Sequence, residues 1–109
     1  MKYLAFALAA LASPMALAQG APSPDGAAVY FISPQAGETL SGPVTVRFGL
    51  AGMGVAPAGT EKENTGHHHL LINRPPMGEG EDGADEYIYG IPADDNHRHF
   101  GGGQTEVTL

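Results

Sequence analysis

The sequence predicts an all-β protein, a small immunoglobulin-like β-sandwich incomplete at its C-terminus, with a small barrel as the second choice. Three observations carry this. Residues 44–50 (VTVRFGL) alternate apolar and other side chains with period two, the mark of a half-buried strand. Short β-branched and aromatic runs recur between glycine and proline turn signals, roughly every eight to twelve residues. No stretch outside the N-terminal segment shows the 3.6-residue apolar stripe of an amphipathic helix. A chain of 109 residues holds at most one modest domain.

In order, residues 28–32 (AVYFI) read as a strand closed by Ser33-Pro34, because proline cannot donate to a ladder. Residues 34–42 carry turn chemistry. The next strand sets Val44, Val46, Phe48 and Leu50 on one face, which is expected to meet Tyr30 or Phe31 across a core. Residues 52–66 form a connection longer than a hairpin loop, holding Met53, Pro57, Glu61, Lys62 and Glu63, and connections of that length are often functional. HHHLLI at 67–72 reads as a further strand. Pro75-Pro76 ends it, and the acidic, glycine-rich residues 78–86 read as a solvated loop. Residues 87–91 are expected to form a brief strand before a turn at 92–96, then a short extended run at 97–100, a glycine turn at 101–103 and a last strand at 105–109. Leu109 stops inside that strand with no polar tail, the ending expected of a domain cut short.

Residues 1–18 carry Lys2, an apolar run and Ala16-Leu17-Ala18, an A-x-A site for a processing peptidase, and so read as a secretory signal. The apolar run is shorter than the roughly 20 residues a membrane-spanning helix needs. Residues 19–26, with Pro22 and Pro24, then form a flexible leader, and 27–109 the β-rich domain. A periplasmic or secreted protein is expected, with no membrane contact after cleavage. Twelve acidic against five basic side chains give a net charge of −7, which argues against a nucleic-acid partner. The absence of cysteine removes disulfides, thiolate zinc sites, iron–sulfur clusters and thiol nucleophiles.

The five histidines fall in two clusters, His67-His68-His69 and His97-Arg98-His99. On extended backbone, residues two apart share a face about 6.5 Å apart, so His67/His69 and His97/His99 each make a same-face pair. Neighbouring strands would let all four imidazoles surround one cation at about 2.0–2.1 Å. His68 points the other way, with Leu70 and Ile72, and Met53 and Glu106 join it as accessory candidates only. Imidazole suits copper and zinc. The expected function is therefore non-enzymatic metal binding, with no catalytic residues assigned. Two alternatives stand beside it: an interaction module for another exported protein with structural histidines, and a copper or zinc metalloenzyme with an open coordination position. H-E-x-x-H, G-x-S-x-G and a phosphate loop are all absent.

The runs ENTGHHHLLI (63–72) and NHRHFGGGQTE (96–106), with GPVTVRFGLAGMG (42–54) before them, resemble a bacterial exported family catalogued as the domain of unknown function DUF4399. The resemblance implies a small β-rich exported domain whose hallmark motifs contain His67, His68, His69, His97 and His99. It brings no activity with it. It also implies further strands and another histidine-bearing segment after the last run seen here, and a shorter, less acidic linker where residues 73–90 stand.

Overall fold

β2 (Thr45–Ala51) organises the molecule. It is the central strand of an antiparallel sheet between β1 (Ala28–Ser33) and a short strand, Glu106–Thr108, near the end of the chain. The computed structural model describes residues 22–109, so the expected signal segment and the start of the leader lie outside the described residues. After β2 come β3 (Gly54–Val55), β4 (Thr65–Gly66), β5 (His69–Leu71), helix α1 (Gly83–Tyr89), β6 (His97–His99) and β7 (Glu106–Thr108). The fold is all-β with one short helix among the described residues. No helix there is long and apolar enough to cross a membrane.

The alternation read from the sequence governs β2. Val46 and Phe48 are buried, whereas Arg47 faces out and pairs loosely with Glu106 at 3.7 Å. Two side chains about 60 % exposed gain little from such a pair. The partner of that apolar face is not the one expected. Phe31 lies beside Phe48 in the ladder, ring centroids 6.5 Å apart, and Tyr30 lies across Gly49; both are more than half exposed. Adjacent antiparallel strands cannot face each other across a core, and a bulge at Ile32 turns β1 further along the edge. The face of β2 instead meets the ribbon formed by β5 and β6. Val46, Phe48, Leu70 and Phe100 are the buried cluster, with Val44, Ile72 and Val107 packed around it.

The long connection between β2 and β5 is tied down by structure of its own. β3 and β4 pair in parallel, with Gly54 N–H donating to Asn64 O at 2.9 Å and Ala56 N–H to Gly66 O at 2.8 Å. The chain therefore enters the triple histidine from an anchored strand, which fixes where His67 begins.

Residues 83–89 are helical, whereas 78–86 were expected as a solvated loop and 87–91 as a strand. Tyr87, Ile88 and Tyr89 favour strands by propensity, but tertiary contacts decide here. The Glu86 carboxylate accepts from Gly78 N–H at 3.0 Å and from the Arg74 guanidinium, which together hold its carboxyl below the usual range. Gly83 is buried against the Gly78 carbonyl, and Gly90 (φ +86°) stops the helix two residues before Pro92. The excursion is closed at its base by Asn96, whose side-chain amide N–H donates to Ile72 O at 2.8 Å while its backbone carbonyl accepts from Ile72 N–H at 2.9 Å.

Candidate metal centre

β5 and β6 run antiparallel with His69 opposite His99, Leu70 opposite Arg98 and Leu71 opposite His97. Phe100 N–H extends the ladder by donating to His68 O at 3.0 Å. Period two then separates the triple histidine: His68 goes inward with Leu70, and His67 and His69 go outward. The register places His99 directly across from His69.

His67, His69 and His99 converge. Nε2 of His67 lies 3.0 Å from Nε2 of His69 and 3.0 Å from Nε2 of His99, and one nitrogen from each ring falls within 4.8 Å of the others. Nitrogens bound tetrahedrally to one ion at 2.0–2.1 Å sit about 3.3 Å apart, so two of the three separations are within a few tenths of an ångström of that requirement. The donor set is neutral imidazole throughout, which suits a borderline divalent cation.

His97 joins the group from behind. Its Nε2 is 2.8 Å from Nδ1 of His69, its Nδ1 is 3.0 Å from the Pro92 carbonyl, and its ring lies edge to edge with that of His69, centroids 5.1 Å apart and 17° between the planes. His68 is buried against Phe48 at 4.9 Å, and its Nε2 has no hydrogen-bond partner. Met53 lines an open cavity of about 310 Å³ that runs along His67, His68 and His69. Glu106 is engaged with Arg47 on the three-stranded sheet and is not among the converging groups.

Two contributors escape a reading by residue type. The Pro92 carbonyl is a backbone acceptor with no sequence signature. Gly101 matters for what it lacks: a Cβ there would come within 2.6 Å of Cε1 of His99. Its backbone is held by Ala58 N–H donating to Gly101 O at 2.8 Å, so any side chain at 101 would drive the His99 ring away. The first glycine of the triple run thus leaves room for His99 to reach His67.

Crowding favours the neutral form of His67, His68 and His69. Burial, then the neighbouring His67, His99 and His97, lowers His69 to about 4; burial and His99 lower His67, and burial and His67 lower His68. In the unfolded chain the same rings titrate near 6.5. The unfolded state therefore takes up protons first as pH falls, so stability is lost progressively from about 6.5 down to about 4 and is unaffected by these groups above that window. Urea midpoints measured against pH in chelator-treated buffer are expected to show this fall, and His69→Gln is expected to flatten it.

The fold and the cluster together define a class: a small all-β domain presenting convergent imidazoles from two adjoining β segments. The family model described as Domain of unknown function (DUF4399) matches residues 46–109, more than half of the chain, and this protein belongs to that family. No curated protein and no solved structure matches the chain.

Proposed function

We propose that this protein is an exported, non-enzymatic metal-binding domain that holds one copper or zinc ion on His67, His69 and His99. One observation carries the reading: three imidazoles, from β5, from β6 and from a residue two before β5, bring one nitrogen each within 4.8 Å of one another, with His67 Nε2 3.0 Å from the other two. Like rings do not gather at a surface for their own hydrogen bonds when each has water available, whereas one cation satisfies all three lone pairs together. The net charge of −7 adds an attractive field for cations. The signal-like residues 1–18 support a periplasmic or secreted setting.

Calorimetric titration of the mature protein with Cu²⁺ and Zn²⁺ tests this. A single saturable site per chain is expected, absent when the same chain is titrated in denaturing urea. The unfolded chain has the same histidines without their geometry, so equal heats from the two samples would overturn the reading.

A second reading, a copper or zinc metalloenzyme, is favoured by the ligand count and the cavity. Three protein nitrogens are the set found at catalytic zinc ions, which keep a fourth position for water or substrate. The cavity beside His67 and His69, walled by Ala28, Val29, Leu50 and Met53, offers space for such a ligand. A Co²⁺-loaded protein whose visible spectrum shifts on adding azide or cyanide would support it; an unresponsive spectrum would favour simple metal holding.

A further inference from the structure

We propose that His97 is a positioning residue, which with the Pro92 carbonyl fixes His69 as the Nδ1–H tautomer and thereby turns the Nε2 lone pair of His69 into the cluster. The inference follows from what each atom can do. A carbonyl oxygen only accepts, so the 3.0 Å contact between Pro92 O and His97 Nδ1 requires the proton on Nδ1 of His97. A neutral His97 then presents Nε2 as an acceptor. The 2.8 Å contact from that Nε2 to His69 Nδ1 requires a proton on Nδ1 of His69. Nε2 of His69 is left with its lone pair, 3.0 Å from Nε2 of His67. In the metal-free protein the proton on His67 Nε2 is shared toward His69 and toward His99, whose Nε2 is also 3.0 Å away, and an ion bound at that nitrogen requires His67 in its Nδ1–H form instead. Every contact in the chain is then satisfied by neutral rings.

The same logic gives the acidic excursion between β5 and β6 a purpose. Arg74, Gly78 and Glu86 brace it, Asn96 closes its base, and Pro92 sits at its return. His97 N–H donates to Asp94 O at 3.2 Å and Asn96 N–H to Asp94 Oδ1 at 2.8 Å, which holds the short turn that aims the Pro92 carbonyl. A ligand imidazole whose other nitrogen donates to a fixed acceptor has its tautomer and ring plane set in advance. His97 therefore acts through His69 and not as a fourth ligand in the same shell. The consequence for affinity rests on the metal-binding reading; the tautomer does not.

Long-range ¹H–¹⁵N correlation spectra of the metal-free protein at about pH 8, in chelator, test the assignment. His69 and His97 are expected as Nδ1–H tautomers, against the Nε2–H form that free imidazole side chains prefer. His97→Phe keeps a flat ring beside His69 but removes the acceptor, so His69 is expected to revert to Nε2–H. His97→Gln, whose amide oxygen accepts from His69 Nδ1–H, is expected to restore the native tautomer. Zn²⁺ affinity is expected to fall roughly 10–100-fold in the Phe variant and far less in the Gln variant. An Nε2–H His69 in the native protein, or a His69 tautomer indifferent to His97→Phe, would overturn the proposal. If the native tautomers and their response to His97→Phe are as expected but no metal binds, the relay stands and the metal reading falls.

Discussion

His67→Ala is expected to abolish saturable metal binding, with affinity lower by more than about 100-fold, beyond what loss of an orienting neighbour costs. His67 is singled out because both 3.0 Å contacts among the converging nitrogens pass through its Nε2. Without it, His69 and His99 remain as a pair on opposite strands, and a two-nitrogen site loses to water and buffer. The metal-free fold should hardly notice. The His67 ring is only half-buried and stands outside the cluster of Val46, Phe48, Leu70 and Phe100. Competition against a chromophoric chelator, beside thermal unfolding of the metal-free variant, checks both halves. Unchanged affinity would mean that the three imidazoles do not share an ion.

Much of this site is legible in the sequence, and the reasons for the rest are physical. Period two in extended backbone is enough to send His68 inward and His67 and His69 outward, because side-chain direction alternates whatever the strand pairs with. It also groups His97 with His99. What it cannot supply is register. With His69 opposite His99, His97 falls two residues along the ribbon, beside the far nitrogen of His69 and not at the convergence point. Nor can it show that Gly101, in the turn after His99, leaves space for the His99 ring. The strand of residues 44–50 was legible for the same reason as the histidines, yet its partner was not, since alternation names a buried face without naming what covers it. The helix at 83–89 was hidden because its strongest contacts, from Glu86 to Gly78 and Arg74, close over a loop and leave no periodic stripe.

Phe48→Ala is expected to cost roughly 3–5 kcal/mol of folding stability, the range for truncating a well-packed buried aromatic. Phe48 is 6 % exposed and sits between His68 at 4.9 Å and Phe100 at 5.0 Å, with Phe31 beside it at 6.5 Å. It is the side chain through which β2 touches both the triple-histidine segment and the residue that follows β6. Among the described residues the cluster has four buried apolar members, so few neighbours can relax into the space it leaves. Small domains are stable by about 5–15 kcal/mol, and such a loss takes a large part of that margin. Because the same contact holds the two histidine segments at their spacing, folding and ion binding are coupled. An ion that binds only the folded chain returns about 2.7 kcal/mol at a hundred times its dissociation constant. Urea unfolding of Phe48→Ala with chelator, and again with Zn²⁺ at that excess, is expected to show a strongly lowered midpoint that metal raises in part. A loss below about 1 kcal/mol would contradict the packing of β2 on the β5–β6 ribbon, and a midpoint indifferent to metal would separate the core from the histidine cluster.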